Sequence, residues 1–275
     1  MKNTSHQKKL IYFLFTISLL FVFSCSQRSF QSSSSNLEIA TGSHPQAAQD
    51  NPTTDQTNPP VSNPSTDNPS TNPVDPVEQY LPLAWEKKVP GSQKWSLFIY
   101  HTILNNEKQM LADHAATDVE IFCPNFQKLS QTQRLNFWGQ LLAGIAKFES
   151  SWNPISRYLE PSSMGKDGIT GLPVVSEGLL QLSYQDGLYH GAACLFDWSK
   201  DKLLQIKNPA DPLKTILDPY KNLRCGIQIL AHQLEKHHAI VIDKGVYWAV
   251  IRKNNNSQKI DKIAAYTKAL PFCVR

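Results

Sequence analysis

Between Gln27 and about Val77 the chain is built from Ser, Asn, Thr, Pro and Gln with few large apolar side chains. Asn-Pro-Ser-Thr occurs there at both Asn63 and Asn68. Such a segment cannot bury enough surface to offset the entropy of ordering it, so residues 26–77 are expected to form a disordered linker. Anything able to build a core is thereby confined to residues 78–275, the size of one domain. That stretch carries all six Trp and four of the five Cys. A linker of about fifty residues reaches roughly 40 Å on average, more where its prolines stiffen it.

The chain opens with Lys2, Lys8 and Lys9, runs apolar from Leu10 to Phe23, and reaches Ser24-Cys25. A basic start, an apolar run of about fourteen residues and a small residue describe a secretory signal peptide over residues 1–25, too short for a comfortable membrane span. Val22-Phe23-Ser24-Cys25 resembles the bacterial lipobox, in which the cysteine carries the lipid. That resemblance implies a lipid anchor at Cys25 and, with Ser26 and Gln27 following, sorting to the outer membrane. The bulky Phe23 departs from the motif and leaves simple secretion open. The net charge of +4 is slight and dispersed, which argues against nucleic acid as a partner. No Cys-x-x-Cys or His-rich spacing calls for a metal, no cofactor is expected, and the chain is expected to act as a monomer.

With Cys25 lipidated, Cys123, Cys194, Cys225 and Cys273 make an even set in an oxidising compartment. Three connectivities are open to them. The expected one joins Cys194 to Cys225, stapling a segment to the next helix, and Cys123 to Cys273, tying the carboxyl end to the start of the domain. Free buried thiols are the alternative.

At helical spacing Trp138, Leu141, Leu142, Ile145, Phe148 and Trp152 form one apolar stripe, and Glu149 falls on it. Burying an ionised carboxylate without a partner costs several kcal/mol, so the fold must pair it or let its pKa rise. A raised pKa is what a general acid needs near neutrality. The plainer reading is a helix-end carboxylate turned to water where Asn153-Pro154 breaks the helix.

Trp95 to His114 reads as a helix. Ser130-Gln131-Thr132-Gln133 fits a capping box that starts a central helix ending near Ser151. Residues 157–176 read as a long loop, and Glu177 to Tyr184 as either a helical turn or a strand. Asp218-Pro219 starts another helix bearing Leu223, Ile227, Leu230 and Leu234 on one face. A last helical pair is expected over Val246 to Ile251 and Lys259 to Leu270. No stretch alternates convincingly, so the fold class is mainly α, in a single domain.

Glu149-Ser150-Ser151-Trp152-Asn153-Pro154, then Glu177-Gly178-Leu179-Leu180-Gln181-Leu182, then Asn222-Leu223-Arg224-Cys225-Gly226-Ile227-Gln228-Ile229-Leu230 follow in order. They resemble the three motifs of the soluble lytic transglycosylase and goose-type lysozyme superfamily, over about Leu129 to Ile251. The resemblance implies a lysozyme-like α fold and cleavage of the β-1,4 bond between N-acetylmuramic acid and N-acetylglucosamine in peptidoglycan glycan strands. It implies Glu149 as the acid, Gln181 with Leu179 and Leu180 lining the sugar groove, and Glu177, Tyr184 and Trp152 beside them. A buried, satisfied amide is the alternative for Gln181.

Tyr247 stands where many members carry a Tyr that bonds the acid, without their following Asn; a core role is the alternative, and Tyr266 the fallback. Glu177 stands where Ser or Ala is usual, and Asp167, Glu177 and Asp186 are candidates for a second carboxylate. A lytic transglycosylase needs none, because the substrate's acetamido group assists. An inverting lysozyme needs one about 6.5–9.5 Å away. Acidic groups near the groove would also suit a cationic, deacetylated glycan. The rival from another class is a lipoprotein that binds peptidoglycan without cutting it.

Overall fold

In the computed structural model residues 80–253 and 257–274 are described, so the leader, Cys25 and the linker lie outside the described residues. Ser130 fixes the start of the central helix α2 (Gln131–Ser150). Its hydroxyl accepts the Gln133 backbone N–H while the Gln133 side chain accepts the Ser130 N–H, the reciprocal box expected from the sequence. From Leu135 to Ala146 every residue of α2 is buried, so the helix is enclosed on all sides rather than amphipathic. Helix α1 (Gln93–Asn106) and helix α6 (Ser257–Lys268) pack against it. Gly144 lets α6 come close, since a Cβ there would stand 3.0 Å from Ile263 Cγ2. The polar groups of α2 are matched. Asn136 bonds both backbone groups of Leu81 and the Tyr100 hydroxyl, and the Trp138 indole N–H donates to the Met110 carbonyl at 2.6 Å.

After α2 the chain forms a small antiparallel sheet, β1 (Arg157–Leu159) with β2 (Val175–Glu177), in which Arg157 faces Glu177 and Tyr158 faces Ser176. The expected loop over 157–176 is therefore a hairpin. Three-residue strands are too short to show alternation in sequence. Helix α3 (Asp186–His190) and helix α4 (Trp198–Lys207) follow; neither was expected, although Asp197 caps α4 by accepting the Lys200 N–H at 3.0 Å. Helix α5 (Pro219–His237) begins as foreseen, with Asp218 accepting the Tyr220 and Lys221 N–H groups and Pro219 in the first turn.

The expected helix to His114 stops at Asn106. Glu107 leaves helical geometry at φ −131°, its buried carboxylate bonded to Gln109, and a 3-10 turn over Lys108–Leu111 completes the segment. Val246 to Ile251 shortens to a 3-10 turn at Ala249–Ile251, because Trp248 is drawn inward to donate its indole N–H to the Leu180 carbonyl at 2.8 Å. The chain is mainly helical with one small sheet. Both expected disulfides are formed, Cys123 to Cys273 and Cys194 to Cys225. No helix among the described residues is long and apolar enough to cross a membrane.

Candidate active site

Glu149 sits in the last turn of α2, where the chain reverses abruptly. Ser151 and Trp152 both adopt left-handed backbone angles, φ 54° and 66°. Neither is glycine, so each costs about 1–2 kcal/mol that the surroundings must offset. Trp152 supplies part of that. Its indole N–H reaches back to the Ala143 carbonyl at 2.7 Å, its ring meets Tyr266 edge-on, and Lys147 Nζ lies 4.5 Å above it. The helix is thereby stopped one residue past Glu149, and the carboxylate is fixed at the negative end of the helix dipole.

Glu149 Oε1 is fully enclosed and has no hydrogen-bond partner. Burial pushes the carboxyl up to about 7; the Lys259 ammonium pulls it down and the Glu160 carboxylate pushes it further up. A group so placed holds a proton near neutrality and can donate it.

The second and third motifs lock together. Glu177 and Leu182 exchange both backbone hydrogen bonds, closing a turn that buries Leu179 and Leu180 completely. Gln181 holds the turn at φ 51°, its amide N–H groups committed to the Gly178 carbonyl at 2.8 Å and the Ser156 carbonyl at 3.3 Å. From α5, Asn222 accepts the Leu180 N–H and donates to the Glu177 and Ile216 carbonyls. A Cβ on Gly178 would collide with Asn222, and one on Gly226 with Leu180 Cδ1. The glycines are where the turn and α5 touch.

The side chains of six residues expected at a sugar groove, Trp152, Glu177, Leu179, Leu180, Gln181 and Tyr184, are buried, Leu179 and Leu180 having been expected there through their backbone. They build the floor of the site rather than an open surface. Tyr184 donates to the buried Asp201 at 2.9 Å and packs on Phe196 and Trp198. Glu177 is ion-paired to Arg157 and, at 2.6 Å, to the fully buried Lys214, so it stands within the core as a structural charge. Burial pushes the Lys214 ammonium down. Asp167 holds its loop, accepting the Ile169, Thr170 and Gln185 N–H groups. A cavity of about 20 Å³ opens behind the hairpin between Arg157, Tyr184 and Trp198, room for a water rather than a sugar.

Burial pushes the Tyr247 phenol well above its usual value, and the Asp186 and Glu149 carboxylates raise it further. Its hydroxyl donates to Asp186 at 2.6 Å. The second carboxylate that Glu149 feels is Glu160, which sequence reasoning missed. Glu160 continues the β1 strand, bonding the Val174 carbonyl, and shares a face with Tyr158 and Ser176; the Ser176 hydroxyl donates to it. Its place depends on which face of a three-residue strand it takes, and so short a strand carries no alternation in sequence to show it. Among the described residues no group of His, Cys, Asp and Glu could hold a metal.

No protein-family model matches the sequence, and no curated protein matches it. Three solved structures do, all of the Bdellovibrio protein DslA (Bd0314). The wild-type form has a TM-score of 0.57 and 28% identity, over 70% of this chain and 98% of that one. Two variants of it, each with a glutamate replaced by glutamine, match with TM-scores of 0.55 and 0.53 at 27% identity, over 70% of this chain and 97% of theirs. The two glutamates replaced there stand eleven positions apart, the spacing of Glu149 and Glu160 here.

Proposed function

We propose that this protein is a peptidoglycan glycosidase of lysozyme-like fold that cuts the β-1,4 bond between N-acetylmuramic acid and N-acetylglucosamine, with Glu149 as the proton donor. The observation that carries the proposal is the Glu149 carboxyl itself, enclosed at a helix end, without a hydrogen-bond partner on Oε1 and protonated up to about pH 7. The packing of the second motif against the third, and the spacing Glu149 and Glu160 share with the two glutamates replaced in DslA, support the same reading.

In the transglycosylase form of the reaction Glu149 gives its proton to the leaving glycosidic oxygen. The muramic acetamido group assists at the anomeric carbon, and Glu149 then takes the proton of the C6 hydroxyl as it closes a 1,6-anhydro ring. The site then requires no second protein carboxylate. Export through the leader and anchoring at Cys25 would place the enzyme in the cell envelope, where the two disulfides are at home.

A second reading, lysozyme-type hydrolysis, is favoured by Glu160. A carboxylate held by Ser176 whose charge reaches Glu149 could steady an attacking water or receive the ammonium of a deacetylated glucosamine. Mass spectrometry of fragments released from purified sacculi separates the two, because 1,6-anhydro ends are one water lighter than reducing ends. Glu149→Gln should abolish release and leave sacculus binding intact; a wild type that binds but releases nothing makes the protein a binding module. If Glu160 receives a cationic sugar, Glu160→Gln should slow cleavage of deacetylated sacculi by at least tenfold while sparing acetylated ones. Equal loss on both substrates would assign Glu160 to the water instead.

A further inference from the structure

Helix α4 commits one face to the fold and leaves the other bare. On the inner face Asp201 is fully buried and accepts the Tyr184 and Thr215 hydroxyls, while the Gln205 amide oxygen takes the Lys214 ammonium at 2.7 Å. On the outer face Leu203 and Ile206, three residues apart and so neighbours on the helix, are 63% and 79% exposed. Lys200 stands three residues before Leu203, Lys207 four after it, and Lys202 four before Ile206. All three lysines are exposed, so three ammonium groups surround two apolar side chains. The one carboxylate within α4 is the buried Asp201, and Asp197 is committed to the cap. Past the helix, Lys214 ties the next segment back to Gln205; Leu213 beside it is 71% exposed, with Asp211 accepting its N–H.

Large apolar side chains flanked by lysines are the pattern of a helix lying in the interface of an anionic bilayer. The apolar tips enter the acyl boundary while the ammonium groups meet lipid phosphates. The chain outside the described residues leads to the same occupant. It runs back through a linker of about fifty residues, roughly 40 Å on average, to the lipobox-like Cys25. A tether of that reach keeps the domain close to the bilayer at a high effective concentration, so a patch too small to hold a membrane from solution stays occupied.

We propose that the outer face of α4 is a docking surface for anionic phospholipid, which lays the tethered domain on the bilayer. The inference rests on the reading of Cys25 as the lipid anchor and is independent of the role of Glu149.

Lysine footprinting of the mature lipidated chain tests this. The chain is placed in vesicles of about three parts phosphatidylethanolamine to one of phosphatidylglycerol, acetylated, and read lysine by lysine by mass spectrometry. Lys200, Lys202 and Lys207 should react at least about threefold more slowly than in phosphatidylcholine vesicles, with Lys94 and Lys128, exposed outside α4, unchanged. Salt at about 1 M, where the screening length falls to about 3 Å, should remove the protection. Leu203→Ser with Ile206→Ser should abolish it and, both side chains being exposed, leave Tm unchanged.

Protection shared equally by Lys94 and Lys128, equal on neutral vesicles, or absent from both overturns the proposal. Protection of α4 that appears without vesicles and grows with protein concentration assigns the face to a second copy of the chain and overturns it as well. A chain whose mass shows no lipid at Cys25 removes the anchor and this proposal together, and leaves cleavage by Glu149 standing. A chain that docks but cuts no sacculi fails the proposed function alone.

Discussion

A buried carboxylic acid that keeps its proton makes the fold weaker as the pH rises. Glu149 and Asp186 are held at about 7 and about 6, above the ordinary 4.5 and 3.8. For such groups the folded chain binds protons that the unfolded chain has released. Their stabilisation is complete below about pH 4 and is lost as pH climbs through 6 and 7, on the order of 3 kcal/mol for each group. Thermal unfolding should therefore show Glu149→Gln raising Tm more at pH 8 than at pH 5, the neutral amide having no proton to lose; an equal effect at both pH values would contradict the raised pKa. Glu149 was legible because a charge on an apolar stripe breaks a pattern. Glu160 was not, since its meaning depends on which way a strand faces. Glu177, chosen for standing out in its motif, is neutralised by Lys214, which is distant in sequence and carries no local sign of burial.

At the level of elements, the helices that announced themselves did so through their ends. Ser130 with Gln133, and Asp218 with Pro219, carry local chemistry that needs no tertiary partner, and α2 and α5 begin where those signals stand. The hairpin pairing and the turn at Trp248 are set by bonds between residues far apart in sequence, which no short window contains. The contact between α5 and the Gly178–Gln181 turn is of that kind. Gly226→Ala would drive a methyl into Leu180, whose carbonyl and N–H are already held by Trp248 and Asn222. Overpacking there should destabilise by about 1–3 kcal/mol, read as a lower denaturant midpoint with an unchanged slope. Displacing the turn should also reduce activity beyond what the stability loss explains.

Across the whole molecule the two disulfides have different work. Cys123–Cys273 closes a loop of 150 residues and joins the early part of the domain to its far end, whereas Cys194–Cys225 closes one of 31 and binds the segment after α3 to α5. Chain entropy gives the longer loop roughly 1–2 kcal/mol more stabilisation. Replacing both cysteines of the first pair by alanine should thus cost more in Tm. Replacing the second pair should cost more in activity, because α3 carries Asp186 and touches Tyr247 through His190. A common ratio of activity to stability loss for both pairs would refute that division.

The interlock at Gly226 and Leu180 has a further consequence for descent. Two side chains on different elements share one fixed volume, so a lineage that acquires a Cβ at 226 survives best with a shorter side chain at 180, and neither change is neutral alone. Among related sequences, positions 180 and 226 should vary as a pair, with Asn222 and Gly178 bound to each other by the same rule, and that covariation would be a historical record of the floor beneath the acid.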